Sequence, residues 1–140
     1  MEKWVVYAFV SMLFAGFTSV IAKLGLAGIS GELGLGLRTV VVLVLVMSFT
    51  LVAVPRTELA ALTPANYGWL ALSGVTTTLS WVFYYKALKL GEVSTIALID
   101  KGSFIVAVLL AWLLLREQIT LRVVAGCSLI LAGLLVVARK

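Results

Sequence analysis

Two charged residues, Asp100 and Lys101, lie inside an apolar stretch of the chain. A charge at the centre of a membrane helix costs about 2.5–3.5 kcal/mol on the insertion scale, so it marks a candidate functional site. Neighbouring helical residues point about 100° apart, so each charge needs a partner elsewhere. We predict that both residues belong to a substrate or proton path. The alternative is a helix-end ion pair that fixes packing, with Lys101 reaching the interface.

A second candidate is a face of hydroxyl and aromatic side chains within one apolar stretch. At 100° per residue its members fall within an arc of about 140°: Ser73, Thr76, Thr77, Ser80, Trp81 and Tyr84. Hydroxyl groups that orient a ligand and rings that cover it suit the wall of a cavity. Hydrogen bonding between helices and anchoring at the interface are the alternative. Ser11 and Thr18 repeat the pattern more weakly, and helix packing is the alternative there.

The composition predicts a membrane protein. Of the 140 residues, 63% are hydrophobic and 12% are charged, against about 45–50% and 25% in soluble domains. Without His, and with Cys127 as the single cysteine, the chain excludes a Cys–His catalytic pair and a disulfide scaffold. Acids are not paired and metal-ligand spacings are absent, so we expect no enzyme, metal or cofactor. The cations flank apolar runs, which argues against nucleic-acid binding.

Five apolar segments are long enough to cross a membrane, which takes about 17–25 helical residues. Their continuous apolar runs exclude barrel strands. We therefore predict one all-α transmembrane domain over residues 1–140, with five spans: 4–22, 37–54, 64–85, 94–115 and 121–138. We expect helix N-caps at Thr63, at Ser94 or Thr95, and at Thr120. The first span is interpreted as a retained helix and not as a signal peptide.

An odd number of spans places the two termini on opposite sides of the membrane. Flanking cations number four on the N-terminal side and six on the other, with Arg38 counted as a flank in preference to a ligand; the six are Lys23, Arg38, Lys86, Lys89, Arg139 and Lys140. This excess is small, so it permits insertion in both orientations.

Small residues recur at helical spacing in the last two spans. Such residues let helix backbones approach closely. We predict that they form helix packing or dimer contacts: Ser103, Ala107, Ala111, Gly126 and Gly133.

Several motifs follow one another in the C-terminal half. Residues 84–91 read YYKALKLG, residues 99–101 read IDK, residues 115–120 read LREQIT, and two glycines lie in the closing span. In order and spacing these motifs resemble EamA-type domains of the drug/metabolite transporter superfamily. Most members of that family have ten helices, as two inverted five-helix units around a central substrate path. They move small metabolites or drugs across the bacterial inner membrane.

The resemblance implies that this chain is one unit that pairs with a second copy as an antiparallel homodimer. It implies a secondary transporter in the lipid of a bacterial or archaeal inner membrane, which moves a small organic metabolite or drug-like solute by alternating access. We favour polar or zwitterionic solutes because both charge signs are present, and protons are a candidate coupling ion. The alternatives are a non-transporting accessory subunit or assembly partner, and a lipid-linked sugar flippase.

Overall fold

Helices form all the regular structure of residues 2–138, the part of the chain that the computed structural model describes. In chain order they are α1 (Lys3–Gly25), α2 (Gly31–Ala53), α3 (Arg56–Ala60), α4 (Pro64–Leu90), α5 (Val93–Asp100), α6 (Ser103–Leu114) and α7 (Leu121–Ala138). The prediction of an all-α protein is confirmed.

Within residues 2–138, three stretches are long and apolar enough to cross a membrane: α1, α2, and α5 with α6 taken together. Helix α7 is apolar but shorter. Helix α4 is the longest at 27 residues, and its hydroxyl side chains and lysines make it less apolar than the other three. A multi-pass membrane protein follows from these lengths and compositions. Five crossings remain a prediction.

Side-chain caps set several helix starts. The backbone amide of Asn66 donates to Thr63 Oγ1 at 3.3 Å, and the backbone amide of Thr63 donates to the side-chain oxygen Asn66 Oδ1 at 2.9 Å. The two residues therefore cap α4 reciprocally. Thr120 Oγ1 accepts from the Val123 amide at 3.4 Å at the start of α7. These two predicted caps are confirmed.

Two predicted boundaries were wrong. Helix α2 begins at Gly31, six residues before the predicted Leu37, because Ser30 Oγ accepts from the Leu33 amide at 3.2 Å and caps the helix there. The N-cap of α5 is Glu92, and neither Ser94 nor Thr95 holds that position. Both helices start earlier than predicted; at α2 the Ser30 cap accounts for this, whereas Glu92 makes no side-chain capping bond at α5.

The predicted fourth span, 94–115, is interrupted at Lys101–Gly102, between α5 and α6. The Gly102 amide donates to Ile99 O at 2.9 Å, and the Lys101 amide donates to Leu98 O at 3.1 Å. These bonds reach three residues back, which is the tighter 3₁₀ pattern, and the Lys101 amide shares its bond with Ala97 O, four residues back, at 3.3 Å. Glycine weakens an α-helix at this point, so Asp100 ends one helix instead of lying in the middle of a longer one.

The chain divides into two compact units, one formed by residues 22–90 and one by residues 2–21 with 91–138. In the first unit α2 packs against α4, and four side chains are buried: Leu26, Leu35, Tyr85 and Leu88. In the second unit α5 packs against α7. There a methyl group on Gly102 would lie 3.7 Å from the side chain of Leu134.

Large apolar side chains along the membrane-length helices are exposed in the single chain. On α1 alone, Trp4, Tyr7 and Phe14 are each about two-thirds exposed, at 67%, 71% and 68%. A soluble monomer rarely exposes contiguous apolar surface of this extent. Lipid, or another protein surface in the membrane, must therefore cover these helices.

Candidate functional site

Helices α2 and α4 run antiparallel, with the first turns of α2 beside the last turns of α4. The α2 positions that face α4 are spaced by three and four residues, and they include Gly31, Leu35 and Arg38. Side chains at this spacing lie on one side of a helix. A methyl group on Gly31 would lie 3.0 Å from the Tyr85 carbonyl oxygen. The two backbones therefore lie close together at this end.

Arg38 forms the polar centre of this interface. Its guanidinium carbon lies 4.3 Å from the centre of the Trp81 ring and 5.9 Å from that of Tyr85. Tyr84 meets Tyr85 edge-on, with ring centres 6.4 Å apart. A cation over an aromatic face is worth about 0.5–2 kcal/mol, more where water is excluded. Arg38 and Trp81 are both half-buried, so this contact contributes to holding α2 against α4.

An open groove of about 390 Å³ lies between the two helices, deeper along them than this close approach. This volume falls within the usual range for small-molecule sites, about 300–1,000 Å³. Most of its lining is apolar, and the exceptions are an acid at one end and two threonines: the lining residues are Glu32, Leu35, Gly36, Thr39, Val40, Leu43, Thr78, Trp81 and Val82.

The threonines of the groove bond to their own helices. Thr39 Oγ1 donates to Leu35 O and Thr78 Oγ1 donates to Gly74 O, each at 2.8 Å. On α4, Thr77 Oγ1 donates in the same way to Ser73 O at 2.8 Å. A hydroxyl has one proton to donate and two lone pairs. These side chains can therefore accept hydrogen bonds from a ligand, but their protons are already used.

Charged side chains cluster where the first turns of α2 meet the last turns of α4. Lys86 Nζ lies 3.5 Å from Glu32 Oε1, and this is the ion pair that the structure shows among residues 2–138. Lys89 Nζ donates to Leu26 O at 3.0 Å, just beyond the end of α1, and Lys23 of α1 donates to Leu88 O in the last turn of α4. Each lysine thus supplies positive charge near the end of the other's helix, where carbonyl groups lack partners.

The predicted α4 residues divide between two sides of that helix. Trp81 lines the groove. Tyr84 contacts Tyr85, and the Tyr85 ring in turn lies near Arg38. At 100° per residue, Ser73, Thr77 and Ser80 lie on the neighbouring side of α4, and all three are exposed. The predicted polar face therefore starts at the groove and continues around the helix as an uncovered strip.

The predicted residues of the other unit lie on α1, α5, α6 and α7. Asp100 is half-buried at the end of α5 and Lys101 is exposed in the turn that follows. Ser11 is exposed on α1, and Thr18 Oγ1 donates to Phe14 O at 2.8 Å. A role of these four residues in a substrate path remains a prediction.

The predicted packing residues belong to this unit as well. A methyl group on Gly126 or Gly133 would meet no described atom within 4 Å. Their use in contacts with a second copy stays a prediction, together with that of Ser103, Ala107 and Ala111.

Arg38 is the residue whose position the sequence interpretation misplaced. Because α2 begins at Gly31, Arg38 is the eighth residue of the helix and not its flank. The Ser30 cap with Glu32 in the first helical turn is the signal that would have placed it. Two of the six cations counted on the second side, Arg139 and Lys140, lie outside the described residues.

No group of three or more acids or cysteines among residues 2–138 could hold a metal ion.

Comparison with known proteins gives two findings. The EamA-like transporter family matches residues 2–139 of the chain. A protein of Sinorhizobium sp., named as an uncharacterized transporter in a cobO 3′ region, is 33% identical over 137 residues, which cover 98% of this chain and 97% of that protein. No solved structure matches the chain significantly.

Proposed function

The chain belongs to the EamA-like transporter family, and on that premise we propose that it is a secondary transporter for a small organic metabolite or drug-like solute. In this proposal two copies in opposite orientations form one transporter in the bacterial inner membrane. The solute path runs between the copies and opens alternately to each side, as in other transporters built from inverted halves.

The observation that carries the proposal is the uncovered strip of hydroxyl side chains on α4. Ser73, Thr77 and Ser80 are exposed in the single chain. Polar groups inside a membrane protein face a bundle interior or a water-filled cavity, and they seldom face lipid. A second copy that brings its own α4 opposite this strip would enclose a polar path between the two.

Two further features support this arrangement. The relative from Sinorhizobium sp. matches over almost its whole length, so a chain of this size recurs in a protein named as a transporter. The flanking charges show little bias between the two sides of the membrane, which permits both orientations.

Reconstituted vesicles test the transport function. Vesicles that contain the purified protein would be assayed for counterflow of radiolabelled amino acids, organic acids and organic cations, each supplied as a separate pool. We expect saturable uptake for at least one pool. Protein-dependent uptake in none of the pools would contradict the proposal, provided that the protein elutes from size-exclusion chromatography as a single folded species.

The hydroxyl strip is tested in the same vesicles with Ser80→Ala. Loss of one hydrogen bond worth about 0.5–1.5 kcal/mol predicts a flux about two- to tenfold lower. Ser128→Ala is the matched control, because Ser128 Oγ donates within α7, to Val124 O at 2.9 Å, and does not belong to the strip. Equal flux in both variants would remove Ser80 from the path.

A further inference from the structure

A small open cavity lies at the ends of α1 and α4, and it shares no lining residue with the α2–α4 groove. Its volume is about 260 Å³, below the usual range of about 300–1,000 Å³ for sites that enclose a drug-sized molecule. The walls are two lysines and three apolar residues of the unit 22–90: Lys23, Leu26, Ala27, Leu88 and Lys89. The cavity therefore suits a small charged group in preference to a whole solute.

Hydrogen bonds hold the two lysines of the cavity in place. Lys89 Nζ donates to Leu26 O at 3.0 Å, and Lys23 Nζ donates to Leu88 O. Lys23 is half-buried there, so its charge stays at the cavity. Since an ammonium group has three N–H donors, the bond from Lys89 to one carbonyl leaves this group able to bind an anion as well.

The cavity carries a net positive charge. The ends of α1 and α4 each contribute about half a negative elementary charge, whereas the two lysines contribute a full positive charge each, which leaves about one positive charge. At the same end of the unit, Lys86 and Glu32 lie 3.5 Å apart and neutralise each other. The other acid of residues 22–90, Glu58, lies in α3, before the start of α4. The cavity therefore attracts anions.

Helix lengths place this cavity at the edge of the membrane. Helix α1 is apolar and long enough to cross, and Lys23 lies in its last turn. Lysines at such helix ends extend to the level of the lipid headgroups. Beside the two lysines in the chain, Leu24 and Leu90 are 73% and 88% exposed. Positive charge bordered by exposed apolar side chains matches a lipid that has an anionic headgroup and acyl chains.

We propose that Lys23 and Lys89 bind the phosphate group of an anionic phospholipid in this cavity. The phosphate oxygens accept hydrogen bonds from the ammonium groups, and the acyl chains lie against the exposed leucines. Phosphatidylcholine binds less tightly, because the net positive charge of the cavity repels its choline cation. This inference is independent of the proposed transport function.

Thermal unfolding of the full-length protein in lipid nanodiscs tests this site. The midpoint would be measured in phosphatidylcholine and in mixtures with increasing phosphatidylglycerol, and each variant would be compared with its own midpoint in pure phosphatidylcholine. We expect the midpoint of the wild type to rise with the phosphatidylglycerol content. Lys89→Gln should need about fivefold more phosphatidylglycerol for the same rise, the effect of one cation at an anionic surface. No rise in the wild type would overturn the proposal.

Three other variants make the comparison specific. Lys3→Gln is the matched control, because it removes an exposed cation at the opposite end of α1 and should respond like the wild type. An equal loss of response in Lys3→Gln and Lys89→Gln would contradict the proposal, since the lipid would then act on the general charge of the surface. Lys89→Arg keeps the charge and should keep most of the response. Lys23→Gln provides the same test if Lys89→Gln does not fold.

Inorganic phosphate is a second source of the same anion. Added to nanodiscs of phosphatidylcholine, it should raise the midpoint less than phosphatidylglycerol does, because it has no acyl chains to bury. The cavity binds a soluble phosphate, and the lipid assignment is wrong, if inorganic phosphate raises the midpoint of the wild type but not of Lys89→Gln while phosphatidylglycerol has no effect.

Discussion

Lys23 and Lys89 each stabilise the C-terminal end of the helix that carries the other lysine. Lys89 of α4 donates to Leu26 O beyond the end of α1, and Lys23 of α1 donates to Leu88 O of α4. The last carbonyls of both helices carry partial negative charge, and like ends placed side by side repel each other. The two ammonium groups offset that repulsion at the outer end of the α2–α4 interface.

Replacing Lys89 with Met tests this contact. The apolar stem of the side chain is kept, while the charge and the hydrogen bond to Leu26 O are lost. We expect stability to fall by about 0.5–2 kcal/mol, the range for a cation at a partly buried helix end. The measurement is the thermal midpoint in mild detergent. The control is Lys3→Met in the first turn of α1, where a cation is unfavourable to the helix, and an equal fall in both variants would refute the interpretation.

The types of the site residues could be predicted from the sequence, but their partners could not. Trp81 and Tyr84 stand out because hydroxyls and rings at helical spacing are rare in an apolar run. Arg38 does not stand out, because an arginine near the edge of an apolar run has the same pattern whether it flanks the membrane or faces a neighbouring helix. Only the contact with Trp81 at 4.3 Å distinguishes the two.

The close packing of two whole helices, α2 and α4, depends on a single glycine, Gly31. A methyl group on Gly31 would lie 3.0 Å from Tyr85 O and 3.2 Å from Tyr85 C, and both atoms belong to the α4 backbone. A backbone atom cannot rotate away as a side chain can. A side chain at this position would have to push the two helices apart, and it would disturb the neighbouring Arg38–Trp81 contact.

Gly31→Ala is therefore expected to destabilise the protein by about 1–3 kcal/mol, the usual cost of overpacking. Gly36→Ala on the same helix is the matched control, because a methyl group there meets no described atom within 4 Å. Alanine favours a helix interior over glycine by roughly 0.5–1 kcal/mol, so the control should be neutral or slightly stabilised. Unfolding midpoints in detergent compare the two, and a lower midpoint for Gly36→Ala would show that the contact geometry is wrong.

The presence of the long helices could be predicted well from hydropathy. Their first residues could be predicted only where capping residues were considered. The predicted starts at Pro64 and Leu121 agree with α4 and α7 because Thr63 and Thr120 were recognised as caps. The start of α2 was wrong because its first turns contain glycines and an acid, which hide the helix from a hydropathy criterion. The break at Lys101–Gly102 depends on local hydrogen bonds that composition does not show.

For the whole molecule, our proposal of two oppositely oriented copies accounts for three features together. The family places the chain among transporters, the membrane-length helices expose apolar side chains in the single chain, and α4 carries an uncovered polar strip. A second copy would enclose the strip and could use the glycines of α7 for close packing. The weak charge bias is the condition under which one sequence can insert both ways.

The orientation of the chain in the membrane tests this central claim most directly. Cys127 is the single cysteine, so Cys127→Ala gives a background for Glu58→Cys and Glu92→Cys, which lie at opposite ends of α4. Acidic residues have little influence on topology, so both substitutions preserve the natural orientation. A membrane-impermeant maleimide would be added to intact bacterial cells. Our account predicts that about half of the chains are labelled at each position; complete labelling at one and none at the other would contradict it.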